Sequence, residues 1–334
     1  MGFTRIIPAI YTYRYLLQDV KRQRKFLHAH VVPVINRYRR DNDGSLDEED
    51  FKKILNYYGF GVPAIVGEAI CTLRGRPMTE RERLCSTFQG ALTGLYDDFF
   101  DKTGLSDEQI LDMMNHPDSW IPKTALEKLF IEFLKNVYQN LDLPEYFNHY
   151  FHKVFLAQQK SLLQTDPGIS YDDILEITYD KGGYSLLFYR SAFTIPATVP
   201  EENALFRLGS LMQLGNDIFD VWKDSPQGIR TPVTASGKIS RLRKIFINKL
   251  QDAMNACDEA GFKAENLFLF RRKFILAISR CFVCMDQLER LEQGTGGVFN
   301  PKEYSREQLV CDMERPLNIL KAIGYFLKNR HPSP

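Results

Sequence analysis

ALFRLGSLMQLGNDIFDVWKD, residues 204–224, is the stretch whose reading decides how this chain folds. Leu208, Leu211, Leu214, Ile218, Phe219 and Trp222 recur at three-to-four spacing, the period of a helix with a buried face. On that pattern Asn216, Asp220 and Asp224 fall at i, i+4 and i+8 and share one face. Ser225-Pro226-Gln227-Gly228 ends the helix, because proline disfavours helix in the residue before it. Carboxylates at this end meet the negative pole of the helix macrodipole, at a cost of roughly 0.3–1 kcal/mol each on a surface and more when partly buried.

A second stretch has the same design. In TERERLCSTFQGALTGLYDDFFDK, residues 79–102, Thr79 and Glu82 form a capping-box pattern, and Gly104 stands where a left-handed C-terminal residue is wanted before Ser106 starts the next helix. Asp97, Asp98 and Asp101 occupy the last turns, and Gln89, Thr93, Asp97 and Asp101 make a polar stripe at i+4 intervals. Two helices that end in acids flanked by aromatics need a counter-ion. A hard divalent cation such as Mg²⁺ suits these oxygens, because it keeps several waters and completes its shell with phosphate oxygens.

The rest of the chain reads as all-α. Capping patterns recur at Ser45/Glu48, Ser106/Gln109, Thr124/Glu127 and Ser305/Gln308, helical periodicity covers 125–140, 200–224, 264–293 and 306–329, and hairpin turns are missing. Loops are expected at 59–63, 116–122, 165–169, 194–200 and 294–301. No repeat or linker divides the 334 residues, so one helical domain over 1–334 is expected. Lys and Arg total 43 against 42 Asp and Glu, a balance that argues against nucleic acid as the main partner. No secretory leader and no uninterrupted apolar run of membrane-spanning length is visible, so a cytoplasmic protein without a transmembrane segment is expected, with a homodimer as a permitted assembly. The six cysteines form no framework; Cys281 and Cys284 are a lone CxxC in a helical run and read as buried reduced thiols.

The two acidic motifs resemble those of class I isoprenoid synthases. DDFFD at 97–101 is similar to the family's aspartate-rich first motif, and QLGNDIFDVWKD at 213–224 resembles its second metal motif. The Asn216, Asp220, Asp224 spacing is similar both to the metal triad of terpene cyclases and to the second motif of squalene and phytoene synthases. The resemblance covers the two motif helices closely and the remainder only as an all-α pattern. It implies a single bundle around a central active-site cavity, in which several Mg²⁺ ions are bound together with the diphosphate of an allylic prenyl substrate. Asp97, Asp98 and Asp101 on one side, and Asn216, Asp220 and Asp224 on the other, are the implied ligands, while Asp217 binds or orients. Asp97, Asp98, Asn216 and Asp220 carry the ionisation step, which releases diphosphate and leaves a carbocation to cyclise or rearrange. Phe88, Tyr96, Tyr184 and Phe188 are candidate cation-stabilising walls.

Lys181-Gly182-Gly183 interrupts a helical pattern, which suggests a break or the close approach of another group. By the resemblance Lys181 is a diphosphate ligand, with Arg190 and Arg230 as further candidates. The segment after the first motif, Lys102-Thr103-Gly104, lacks the paired arginines of chain-elongating relatives, which favours cyclisation over coupling of two prenyl diphosphates. A non-enzymatic helical metal-binding scaffold is the remaining alternative. Asp172 and Asp173 fall at a helix start and read as capping acids. Residues 39–50 resemble a calcium loop, but Arg39 stands where its first ligand belongs, and Ser45/Glu48 explains the same residues as a cap. His28, His30, His149 and His152 lack neighbouring ligands and read as core or surface histidines.

Overall fold

The structure is a computed structural model; it describes residues 7–329, with the side chains of 7–12, 97–101 and 329 outside that description. Among the described residues there are 13 helices and no strand, so the all-α expectation holds. In chain order they are α1 Ile7–His30, α2 Val32–Arg40, α3 Glu48–Arg74, α4 Glu80–Lys102, α5 Asp107–Asn115, α6 Ala125–Asn140, α7 Pro144–Ser161, α8 Tyr171–Arg190, α9 Val199–Asp224, α10 Ile239–Glu259, α11 Ala264–Gly294, α12 Arg306–Leu309 and α13 Pro316–Asn329. They form two compact units. Among the described residues, one comprises Arg14–His152 and Phe188–Pro196; the other comprises 7–13, Lys153–Leu187 and 197–329. Three of the divisions fall inside helices, α1, α7 and α8, and the fourth falls in the loop before α9.

In the first unit, α4 is the central element. Thr79 caps it in a capping box with Glu82, and Gly104 follows it at φ +64°, both as the sequence implies. Glu82 is buried. Burial alone would raise its carboxyl, but hydrogen bonds from the Arg76 guanidinium and the Thr79 and Thr194 N–H groups hold it at about 2.

The expected loop at 59–63 does not exist; Gly59 and Pro63 lie inside α3, which carries π-helical turns over Lys53–Tyr58 and Val62–Gly67. Its glycines serve packing and not a turn. A Cβ on Gly90 of α4 would come 2.5 Å from the Tyr58 carbonyl oxygen, and one on Gly94 would come 3.3 Å from the Ile54 nitrogen. By length and composition α3 could also span a bilayer, although half of its most apolar window is buried within the structure.

The capping patterns hold at Thr79, Ser106, Thr124 and Ser305, whose side chains accept from the backbone N–H three residues on. The exception is Ser45. Asp47 is the cap of α3, in a box with Asp50, and Ser45 works elsewhere: its Oγ accepts from Leu126 N at 3.0 Å while Asp43 accepts from Ala125 N at 2.9 Å. The calcium-like loop therefore caps the start of α6, satisfying donors that the first turn of a helix leaves open. The Lys102 ammonium sits 2.9 Å from Asp50 and 3.4 Å from Asp47, a cation supplied by the end of the first-motif helix.

In the second unit, α8 and α9 cross at glycines. A Cβ on Gly182 would lie 2.2 Å from the Gly209 carbonyl oxygen, and one on Gly183 would lie 2.4 Å from the Phe206 ring. The helix is unbroken at these residues, so close approach is the correct alternative of the two. Helix α9 begins at Val199, one residue before the expected 200–224 periodicity. Thr198 caps it, and Pro200 lies in the first turn, where a missing N–H removes no intrahelical bond. The 306–329 pattern is interrupted at residues 310–315, because Pro316 opens a new helix and cannot continue the old one.

Candidate functional site

The second motif occupies the C-terminal turns of α9. Asn216 is exposed, and its Nδ2 donates to Asp220 Oδ2 at 3.1 Å, one turn along the ladder that Asp224 continues. Asp217 points to the buried side. Both of its carboxylate oxygens are occupied: Gln213 Nε2 donates to Oδ1 at 2.9 Å, and Thr178 Oγ1 on α8 donates to Oδ2 at 3.0 Å. This arrangement depends on the glycine crossing, which brings α8 near enough for a threonine hydroxyl to reach α9.

Two of these acids are held well above the ordinary carboxylate range. Burial pushes Asp217 up to about 6, against the hydrogen bonds from Gln213 and Thr178 and the charge of Lys181. Burial, followed by the negative charges of Asp217 and Asp220, pushes Asp224 up to about 7, with Lys223 and Lys181 opposing. Lys181 therefore acts electrostatically on this end of α9. Thr178, one turn before Lys181 on the same face of α8, is a site residue that the sequence reading missed; the i, i+3 spacing from Lys181 was the available signal.

The other nominated residues have different surroundings. Arg230 has its guanidinium on the Pro167 carbonyl at 3.0 Å, and its backbone exchanges hydrogen bonds with Gln164, so it pins the turn after α7. Arg190 is fully buried in the first unit, donates to the Ile195 carbonyl at 2.7 Å and lies over the Phe193 ring. That placement makes it a brace for the chain leaving α8. Tyr184 packs its ring edge-on against Phe206, with the Lys153 ammonium 5.7 Å from its centroid. Phe88, Tyr96 and Phe188 are buried in one aromatic core of the first unit: Phe88 meets Phe133, and Tyr96 and Phe188 both meet Phe151.

The first motif is only partly visible. Its backbone completes α4, but the side chains of Asp97, Asp98 and Asp101 lie outside the described residues. Upstream on the polar stripe, Gln89 donates to the Phe188 carbonyl at 2.7 Å and to Ser191, and Thr93 donates back to the Gln89 carbonyl. Those two members of the stripe have structural roles.

Asp172 and Asp173 are exposed in the first turn of α8, where Ser170 Oγ accepts from Asp173 N, as capping residues should be. A cavity of about 350 Å³ in the first unit is lined by Arg24, Leu27, His28, Val32, Leu55, Asn56 and Phe60, and contains none of the nominated residues.

Among the described residues, no three His, Cys, Asp or Glu side chains converge to hold a metal ion. The α9 set offers two carboxylates, Asp220 and Asp224, and the Asn216 amide oxygen, since both oxygens of Asp217 are engaged. Hard oxygens with an incomplete shell fit Mg²⁺, which draws its remaining ligands from water and phosphate. Comparison with protein-family models, with curated proteins and with solved structures finds no match to this chain.

Proposed function

We propose that this chain is a Mg²⁺-dependent enzyme of the class I isoprenoid synthase type, a cytoplasmic helical bundle with an active-site cavity, which ionises an allylic prenyl diphosphate and directs the resulting carbocation to cyclise or rearrange. The observation that carries the reading is the end of α9. Asn216, Asp220 and Asp224 form a ladder of hard oxygen donors, Asp217 and Asp224 are held above their ordinary range by burial first and then by neighbouring acids, Asp220 for both, and Lys181 supplies positive charge from α8. A cation relieves this repulsion, and a diphosphate is the anion that binds such a cation and an ammonium together.

Asn216, Asp220 and Asp224 would hold Mg²⁺, whose chemistry is to stabilise the charge that builds on the leaving diphosphate. Asp217, fixed by Gln213 and Thr178, orients the turn that carries the ladder. Lys181 is the counter-charge of the free protein and a diphosphate ligand when substrate is present. The resemblance assigns further metal contacts to Asp97, Asp98 and Asp101.

The test is release of diphosphate from prenyl diphosphates of increasing chain length in the presence of Mg²⁺, with extraction of the hydrocarbon product. Asp98→Asn and Asn216→Leu are each expected to lose most of the activity while retaining the helical circular dichroism of the wild type. Release that requires a second prenyl diphosphate would replace cyclisation with coupling. No release from any allylic substrate, with Mg²⁺ binding intact, would leave a metal-binding scaffold.

A further inference from the structure

Helix α1 carries a cationic stripe within the first unit. Arg14, Leu17, Lys21, Arg24, Lys25 and His28 recur at three-to-four spacing, with Arg24 and Lys25 side by side, and all six are exposed. The acid of this helix lies off the stripe: Asp19 is buried, 3.6 Å from Arg22, which also meets Glu68. Among the described residues no carboxylate pairs with a cation of the stripe. The whole chain is nearly neutral, at +1, so the excess of positive charge belongs to this face.

The stripe leads into the cavity of about 350 Å³ between α1, α2 and α3. Its polar groups are Arg24 and His28, one turn apart on the stripe, and Asn56 in the π-helical turn of α3. The Arg24 guanidinium lies over the Phe60 ring, 5.5 Å from its centroid, which fixes the cation against the wall. Leu27, Val32 and Leu55 make the rest of that wall. Leu17 is 40% exposed and Tyr57, next to Asn56, is 63% exposed, so both helices also present apolar surface. Guanidinium, imidazole and amide N–H donors beside an apolar wall select an anion that bears an alkyl chain. A phospholipid presents both parts at once. A nucleic-acid backbone or an acidic peptide would meet the cations and leave the leucine and valine wall uncovered.

We propose that this face of the first unit docks on an anionic phospholipid bilayer, with the phosphate of one lipid among Arg24, His28 and Asn56. The start of the lipid chain lies against Leu27, Val32 and Leu55, and the rest of the lipid stays in the bilayer, because the cavity is at the small end of the ligand-pocket range. Arg14, Lys21 and Lys25 meet neighbouring head groups, which is how a basic segment gains affinity for a negative leaflet. Tyr57 suits the same interface, where an aromatic ring with a polar tip is favoured. This docking is independent of the acid ladder of α9.

Co-sedimentation of the full-length protein with phosphatidylcholine vesicles, with and without about 30% phosphatidylglycerol, tests the docking. Binding is expected only with the anionic lipid and should weaken as NaCl rises from about 0.1 to about 0.5 M. Lys21→Gln/Lys25→Gln should lower the partition coefficient about 25-fold, at about fivefold per cation. Lys321→Gln/Lys328→Gln removes the same charge from α13, in the other unit, and should bind as the wild type does. Asn56→Leu changes no charge and should still weaken binding, because it removes a donor of the cavity. All these side chains except the half-buried Lys321 are exposed, and each variant should retain the helical circular dichroism of the wild type. No binding to anionic vesicles, equal binding to vesicles of both compositions, or equal loss in the α1 and α13 double variants would overturn the proposal. So would unchanged binding by Asn56→Leu. Release by glycerol 3-phosphate beyond that caused by NaCl of equal ionic strength would also overturn it, by assigning the cavity to a free phosphate ester.

Discussion

Replacing Gly182 with alanine tests the crossing on which the α8 side of the site depends. The added Cβ would stand 2.2 Å from the Gly209 carbonyl oxygen, 2.8 Å from the Gly209 carbonyl carbon and 2.5 Å from the Gln213 Cβ. Two of these obstacles are backbone and none is the end of a flexible side chain, so α8 and α9 must separate by about 1 Å to restore van der Waals contact. Overpacking of this kind costs about 1–3 kcal/mol, and separation also weakens the Thr178–Asp217 hydrogen bond, worth about 1 kcal/mol. Alanine in place of glycine gains up to about 1 kcal/mol of helix propensity, which leaves a net loss of about 1–3 kcal/mol. Gly324 in α13 is the control, because a Cβ there meets nothing within 4 Å and should return the propensity gain alone. Urea denaturation followed by circular dichroism should lower the midpoint for Gly182→Ala and raise it for Gly324→Ala, with unchanged slopes. A midpoint for Gly182→Ala at or above the wild-type value would refute the close crossing.

Asp217 and Asp224, held at about 6 and about 7, bind protons in the fold that they release near 3.8 in the unfolded chain, so their contribution to stability is full at low pH and falls as pH rises through about 4 to 7. Glu82 has the opposite sign: its contribution is full above 4.5 and is lost as pH falls towards about 2. The metal-free urea midpoint should therefore decline from pH 4 to 7 less steeply in Asp217→Asn/Asp224→Asn than in the wild type, and an equal slope would dismiss the two acids as its source. Lys102→Met strips the fully buried Asp50 carboxylate of its nearer ammonium, leaving Lys53 at 3.7 Å, and should cost about 1–3 kcal/mol by thermal melting. Asp43→Ala should destabilise by about 1 kcal/mol through the start of α6, with no change when Ca²⁺ is added; a calcium-dependent midpoint in the wild type would restore the metal-loop reading.

Local signals were legible to the extent that each depends on neighbours along the chain. Thr79, Ser106, Thr124 and Ser305 cap helices because a hydroxyl three residues before a backbone N–H needs nothing from elsewhere. Ser45 has the same spacing and fails, since Leu126 competes for its oxygen from a distant part of the chain while Asp47 and Asp50 complete their own box. Gly59 and Pro63 carry loop chemistry, yet π-helical turns and the close approach of Gly90 keep them in one helix. Thr178 was legible only as a helix neighbour of Lys181; it matters through Asp217 on another element, which periodicity does not identify.

By itself the sequence determined an all-helical chain, the placement of both acidic motifs at helix ends and the shared face of Asn216, Asp220 and Asp224, because helical period and capping are set by residues within a few positions of one another. Tertiary structure alone decided that Gly182 and Gly209 bring α8 against α9, that Thr178 and Gln213 hold both oxygens of Asp217, and that Arg190 is buried as a brace. The physical reason is burial and contact at long range: desolvation, a neighbouring helix and a partner's hydrogen bond together determine what a carboxylate or a cation does, and none of them is encoded by spacing along the chain.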